Sequence, residues 1–381
     1  MKTFRPFGEY LPYPLTHPRL EFSEAISSDL ILMALNRYAT VPDIGKGLFP
    51  GTLAHANEMY RHFSSYTTQA ITYYKAAQSI RGSASSLPLY YSAMNFAKAE
   101  LLISNPTDIV GQTIRHGLSY SPQASKRMKT DELKVSPGIF PLLYTKGSGY
   151  VLVNGSRLDI LRLLPNVPEI GWELMELALA TPNTWEIVHT VALDKTDAWS
   201  IIAIPPPFTL GSDVTSKHIK KYYEQVTAPS PIGTANWRDT FAMSHRHVGG
   251  IAYTFFESKW KVSRTAAMSD VVGNVARSAY EKLSPFVEEG QREISEGQLT
   301  ASMYKSSLLP MPSSLARYAM IFYVSSLVRY NPAQVNAVLS PSQAWLLDSF
   351  CDQSKQWMLR DSLSGIANVA PAFYSPSAYR T

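Results

Sequence analysis

The sequence predicts a mainly α fold with a β-containing middle segment, an α+β class, on three observations. Apolar residues recur at helical spacing along two long stretches before residue 105. Between about 150 and 263 the pattern shifts to short apolar runs separated by turn residues. Helical spacing then returns and closes the chain. A strand-bearing insertion between two halves of a helical bundle produces this order. We therefore expect an N-terminal helical part over 1–145, a middle segment with strands over 146–265, and a C-terminal helical part over 266–381 that packs back on the first.

The elements follow in order. Residues 1–20 combine proline with aromatic residues and read as an extended arm, and 21–41 have helical spacing. GKGLFPG, at 45–51, is a loop by its Gly and Pro. Residues 52–80 read as a long helix with apolar positions at Leu53, Met59, Phe63, Tyr66, Ala70, Tyr73 and Ala77. Arg81-Gly82-Ser83 breaks it. Ser85 or Ser86 is expected to cap the next helix, with Pro88 in its first turn, where a missing N–H costs nothing. Along that helix Tyr90, Met94, Ala97 and Leu101 form one apolar stripe, and Asn105-Pro106 ends it.

IRHGLSYSP, at 114–122, is expected to turn at its HGL, with polar chain following to about 136. YVLVNGSRLDILRLLP reads as a short strand, an Asn-Gly turn and a short helix. TWEIVHTVAL and AWSIIAIPPP read as a hairpin, and GIAYTFFESKWKVS as a further strand. Residues 266–300 read as helical. Two helices follow, one starting at Ser313 or Ser314, the other at Ser340 or Ser342, and the tail beyond is expected to be loosely ordered. The segment YAMIFYVSSLV is apolar nearly all round. Such a helix must be covered on most sides, and both late helices are expected to pack against the helix at 87–104.

Composition narrows the function classes. The chain has 381 residues, 45% apolar and 17% charged, with 22 Tyr and a formal charge of +5. That charge permits contact with nucleic acid. The densest basic patches, Lys126-Arg127-Met128-Lys129 and Lys217-His218-Ile219-Lys220-Lys221, read as solvated. Cys351 is the single cysteine, so neither an internal disulfide nor a Cys-based zinc site can form. The N-terminus lacks the pattern of a signal peptide, and the longest apolar run, closed by Arg317 and Arg329, is too short to cross a bilayer. A cytoplasmic protein without membrane contact is expected. His55 with His62, and His245 with His247, lack further ligands, and no Gly-rich phosphate loop or nucleophile elbow occurs. No metal and no cofactor is therefore expected.

Tyr91, Asn95 and Lys98 sit at i, i+4 and i+7, on a flank offset from the apolar stripe by about 100°. A hydroxyl, an amide and an ammonium together suit an anion, and they equally suit a polar network that ties helices together. In Arg115-His116-Gly117, a histidine beside a glycine can be placed for proton transfer or for bonding a backbone carbonyl. The chain from Pro106 to Arg115 is short, so His116 should return to Tyr91, Asn95 and Lys98. Lys98 beside Arg115 would suit the phosphate of an RNA or a nucleotide.

PLYYSAMNFAKAELL followed by HGLSYS, then LDILRLLPNVPEI, then SLARYAMIFYVSSLVRYNP, stand in an order that resembles the YaaC-like proteins. The resemblance runs from about 60 to 355. It implies a bacterial cytoplasmic protein whose helical part is similar to HEPN-type bundles, that is, an HEPN-like helical bundle interrupted by a small mixed insertion. Such bundles recur in RNA-cleaving toxins and antiphage defence proteins. By that resemblance Tyr91, Asn95 and Lys98 would bind ligand, with His116 and Arg115 catalytic. HEPN-type ribonucleases carry Arg, four to six residues, then His. Here His116 follows Arg115 directly, whereas an alternative pair, Arg238 and His245, has six residues between them. Among eight His, about one such match arises by chance. The expected function is metal-independent RNA binding or cleavage in antiphage defence. The alternative is a non-enzymatic partner or accessory subunit, in a homo-oligomer or a hetero-complex.

Overall fold

The computed structural model describes residues 3–6, 28–112, 114–120, 128–148, 150–180, 184–193, 199–204, 223–226, 255–259, 292–295, 298–302, 311–330, 339–367 and 369–372. Chain contacts divide it into two units, one of residues 26–184 and 309–369, the other of residues 1–25, 185–308 and 370–381.

The first unit is helical. Helix α1 spans Ser28–Thr40 and leads through the single turn of α2, Pro42–Gly45, to α3, Leu53–Gln78. Thr52 caps α3 by accepting from the His55 N–H at 3.3 Å. The hydroxyls of Tyr60 and Ser64 both reach back to the Ala39 carbonyl, at 2.7 Å each, and hold α1 on α3. Helix α4, Ser86–Ser104, runs back antiparallel along α3, and the Ser92 hydroxyl donates to the Ala70 carbonyl between them. The expected serine cap is absent: Ser85 Oγ bonds the Gly82 carbonyl instead, and Ser86 Oγ is buried without a partner. That entry is secured from a distance, because the Gly82 and Ser83 N–H groups donate to Asp352 and Asp348.

Three antiparallel strands, β2 (His116–Ser119), β3 (Glu132–Gly138) and β4 (Arg157–Asp159), lie in the order β2-β3-β4, with β1 being Thr3–Pro6 in the other unit. Two expectations are corrected here. HGL is the start of a strand with a bulge, because β3 offers it a partner, and the strand around Asn154-Gly155 follows that turn instead of preceding it. Helix α5, Ile139–Ser148, continues from β3, and the short helices α6 (Ile160–Leu163) and α7 (Gly171–Glu176) follow.

Helix α8, Ser313–Tyr330, is buried continuously from Leu315 to Leu327, as an all-round apolar helix requires. Helix α9, Pro341–Ala367, begins with a capping box: Gln343 N–H donates to Ser340 Oγ, and Ser340 N–H to Gln343 Oε1. Both pack on α4, as the sequence predicts. One charge lies inside this apolar layer. Arg317 of α8 forms a two-pronged ion pair with Glu169, at 2.5 and 2.9 Å, with both side chains 1% exposed. Asp361 of α9 pairs with the same guanidinium, Ser354 donates to Glu169, and the Trp357 ring lies 5.3 Å away. Nearby, the hydroxyls of Tyr120 and Tyr323 both donate to Asp131 Oδ2, at 2.8 and 2.6 Å; burial pushes both phenols up, so they stay protonated.

In the second unit β1 pairs with β11, Val369–Ala372, where the sequence predicted a loose tail. A six-stranded sheet runs in the order β7 (Tyr223–Val226), β8 (Phe255–Ser258), β6 (Trp199–Ile204), β5 (Thr184–Leu193), β10 (Gln298–Ser302), β9 (Arg292–Ser295). The expected hairpin is present, Leu193 facing Trp199 and Val188 facing Ile204. The helical reading of 266–300 fails over its end, where β9 and β10 pair antiparallel with Gln298 opposite Ser295. Among the described residues no helix is long and apolar enough to cross a membrane.

Two stability outcomes follow from the buried layer. Glu169→Ala strands the Arg317 charge and should cost about 3–5 kcal/mol, read by chemical denaturation. A loss under about 1 kcal/mol would show that Asp361 alone suffices. Ala319→Asp places an unpaired carboxylate at a fully buried position and should leave no cooperative transition near that of the parent. An unchanged melting curve would refute the burial.

Candidate functional site

The site begins with two glycines. Gly117 has φ 83° and Gly138 has φ 151°; Gly138 pairs with His116, and Gly117 lies where the β2–β3 register shifts between His116 and Leu118. A Cβ on Gly117 would lie 2.6 Å from Pro141 and 2.7 Å from the Phe140 nitrogen; one on Gly138 would collide with the Arg115 carbonyl. Only glycine lets the two backbones approach so closely. The Ile139 N–H donates to the Arg115 carbonyl at 3.0 Å and closes the corner. This bulge aims His116 at α4.

There Tyr90 meets it, its hydroxyl 2.8 Å from His116 Nδ1. Tyr90 sits in an aromatic cluster: the rings of His116, Phe322, Tyr318 and Tyr91 lie 5.5, 5.3, 5.9 and 6.0 Å from its own. Burial pushes the Tyr90 hydroxyl far above its ordinary range, so it remains a donor. A protonated phenol both donates and accepts, so this contact serves either tautomer of a neutral His116. Burial lowers the His116 pKa, and the positive charges of Arg329 and Lys98 lower it further. Lys98 is itself lowered by burial. It lies 5.4 Å from the Tyr66 ring, and among the described residues no carboxylate pairs with it. Elsewhere the half-buried cations are answered: Lys146 by Glu100 at 2.9 Å, and Lys355 by Asp352 at 2.7 Å.

Of the residues singled out from sequence, His116 meets Tyr90 and Tyr91 lies beside it, while Lys98, further along α4, reaches the imidazole through its charge. Tyr91 stacks on Tyr73, rings 5.3 Å apart at 30°. Asn95 is buried, and its amide donates to the Tyr91 carbonyl of its own helix at 2.9 Å, a backbone-bonding role. The Arg115 side chain is exposed, and its carbonyl does the structural work. Arg238 and His245 lie outside the described residues. Sequence reasoning missed Tyr90, which it placed in the core stripe, and Arg329, which it read as the end of an apolar run. The doubled Tyr90-Tyr91 before a single His-Gly was the available signal for the first. Nothing local could bring Arg329 across more than two hundred residues.

The arrangement presents an imidazole N–H, an ammonium and a guanidinium, with tyrosine rings beside them. All are donors or π faces, so the site suits an anion with acceptor oxygens. The model of one protein family, described as YaaC-like Protein, matches residues 50–364, which contain every residue of this site. No curated protein and no solved structure shows significant similarity to the chain.

Gly117→Ala should cost on the order of 1–3 kcal/mol and move His116 off Tyr90, read as denaturation together with the imidazole NMR signals. Unchanged signals would show that the bulge does not aim the ring. The depressed His116 pKa has a definite sign. As pH falls through about 6.5 the unfolded chain takes the proton first, so stability drops on acidification and is unaffected above that pH. The melting temperature of the parent should therefore fall further between pH 7.5 and 5.5 than that of His116→Gln; parallel curves would contradict the shift.

Proposed function

The chain belongs to the YaaC-like family, and we propose that its helical unit binds phosphate-bearing ligands, RNA or nucleotide, at the cluster of Lys98, His116 and Arg329. The observation that carries this reading is Lys98: a half-buried ammonium with no carboxylate partner among the described residues, within electrostatic reach of the imidazole that Arg329 also acts upon. Gathering like charges costs free energy in the empty site, and an anion offsets that cost on binding. The Arg115 guanidinium, exposed at the rim, adds charge.

Cleavage of RNA, the activity implied by a likeness to HEPN-type bundles, needs a base for the 2′-hydroxyl proton as well as an acid. His116 is a single imidazole engaged by Tyr90 at Nδ1 and serves one of those roles at a time, so binding is the function this geometry supports best, and His116 with Arg115 is the pair to examine for turnover. A phosphate-binding protein of this kind suits either an effector or an accessory subunit in antiphage defence. The accessory reading has its own observation, an exposed apolar group at Tyr150, Val151 and Val153, 43, 75 and 69% exposed. Sedimentation as a monomer that captures no protein partner would sink it.

Binding is read by anisotropy with a labelled RNA and by competition with AMP. Lys98→Ala and Arg329→Ala should each weaken binding about tenfold or more. Affinity should rise from pH 7.5 to pH 6 as His116 gains charge, and His116→Gln should abolish that rise. Variants that bind as the parent does would overturn the proposal.

A further inference from the structure

The antiparallel register of α3 and α4 sets more than the phosphate cluster on one surface. Tyr66 of α3 meets Lys98 of α4, and seven residues further along α3 Tyr73 meets Tyr91, which lies seven residues back along α4. Seven residues are nearly two turns, so both contacts fall on the same side of the helix pair, about 10 Å apart. His62 extends the row, its ring 6.5 Å from Tyr66 and stacked at 28°. Arg329, whose charge reaches His116, lies over the exposed Tyr330 ring at 4.2 Å. Tyr73 is 38% exposed. A cation and tyrosine rings thus share one strip of the helix pair, with Tyr73 exposed and Tyr66 and Tyr91 half-buried.

We propose that this strip is a binding track for a single-stranded polynucleotide, with a backbone phosphate at Lys98, His116 and Arg329 and a neighbouring base stacked at the Tyr73–Tyr91 pair. The assignment rests on the phosphate-binding reading above and names its ligand class. The reasoning is one of reach and of available faces. A spacing of about 10 Å between the ammonium and the stacked rings is spanned by successive nucleotides of one strand. A duplex keeps its base faces stacked within itself and has none to offer a tyrosine. Tyrosine stacking accepts any base, and the strip carries no ordered set of amide or carboxylate groups to read base edges, so the track is tolerant of sequence.

The experiment measures a labelled single strand of mixed sequence, its annealed duplex and AMP against the parent, Lys98→Ala, Tyr73→Leu and Tyr73→Phe. Leucine keeps apolar bulk beside Tyr91 and removes the π face; phenylalanine restores it. The expected result is single-strand binding that falls about fivefold or more in Tyr73→Leu, that returns in Tyr73→Phe, and that falls more than AMP binding does in the same variant. Two results overturn the track while sparing the phosphate site: Tyr73→Leu holding the strand as the parent does although AMP binding still depends on Lys98, or the duplex binding as tightly as the single strand. If neither AMP nor the strand responds to Lys98→Ala, the phosphate reading falls and the track with it. RNA and DNA strands of one sequence are compared alongside. Tighter RNA binding supports the track and assigns a contact to the 2′-hydroxyl; equal affinities support it with stacking and charge as its basis.

Discussion

The Arg317 guanidinium, fully buried in the helical unit, could not be buried alone. An isolated charge in an apolar layer is prohibitively costly, so its position on α8 obliges Glu169 and Asp361 to arrive at the same place. Those partners come from a short 3₁₀ turn and from α9, which Ser354 also ties to Glu169. The ion pair therefore fixes which face of α8 meets which neighbour. Hydrophobic burial alone tolerates rotation of an apolar helix; a two-pronged carboxylate–guanidinium pair does not. With α8 so fixed, Phe322 and Tyr318 are delivered to Tyr90, and Arg329 to the border of the candidate site.

A second constraint works at shorter range. The Gly117–Gly138 approach bends β2 against β3 and presents His116 to the Tyr90 hydroxyl. Local backbone geometry thus decides which partner a side chain meets, and the buried phenol keeps its proton throughout the working range. Tyr318 adds a second buried hydroxyl to the same cluster, and its interaction with Tyr90 helps hold the Tyr90 proton in place.

The helices were the legible part of the sequence. Periodicity placed α3, α4 and α8 to within a residue or two, and of the two starts offered for α9, Ser340 and Ser342, the first is the one whose local capping box forms. Likewise local was the Thr184–Ile204 hairpin, whose two runs stand close together in the sequence. Failures came where a distant partner decides the outcome. HGL reads as a turn in isolation and becomes a strand because β3 pairs with it, and Ser85 lost its capping role to backbone bonds from Asp348 and Asp352. In the site, the i, i+4, i+7 rule grouped Tyr91, Asn95 and Lys98 correctly along one helix. It could not distinguish an amide that bonds its own backbone from an ammonium left without a carboxylate, since that difference lies in what the rest of the chain brings near.

The grip of α9 on the turn between α3 and α4 has a consequence for the order in which the protein can be made. Lys355 donates to the Ile80 carbonyl across a separation of 275 residues, and the two aspartates on the same helix reach back 265 and 270. During synthesis the first helices emerge long before the segment that locks their connection, with residues 185–308 of the second unit translated in between. The faces of α3 and α4 meant for α8 and α9 must wait uncovered through that interval, and contacts of such separation also slow folding from the denatured chain. A ribosome stalled within residues 185–308 would therefore carry an unfinished helical layer with its apolar side open, a substrate for chaperones that the released chain no longer offers.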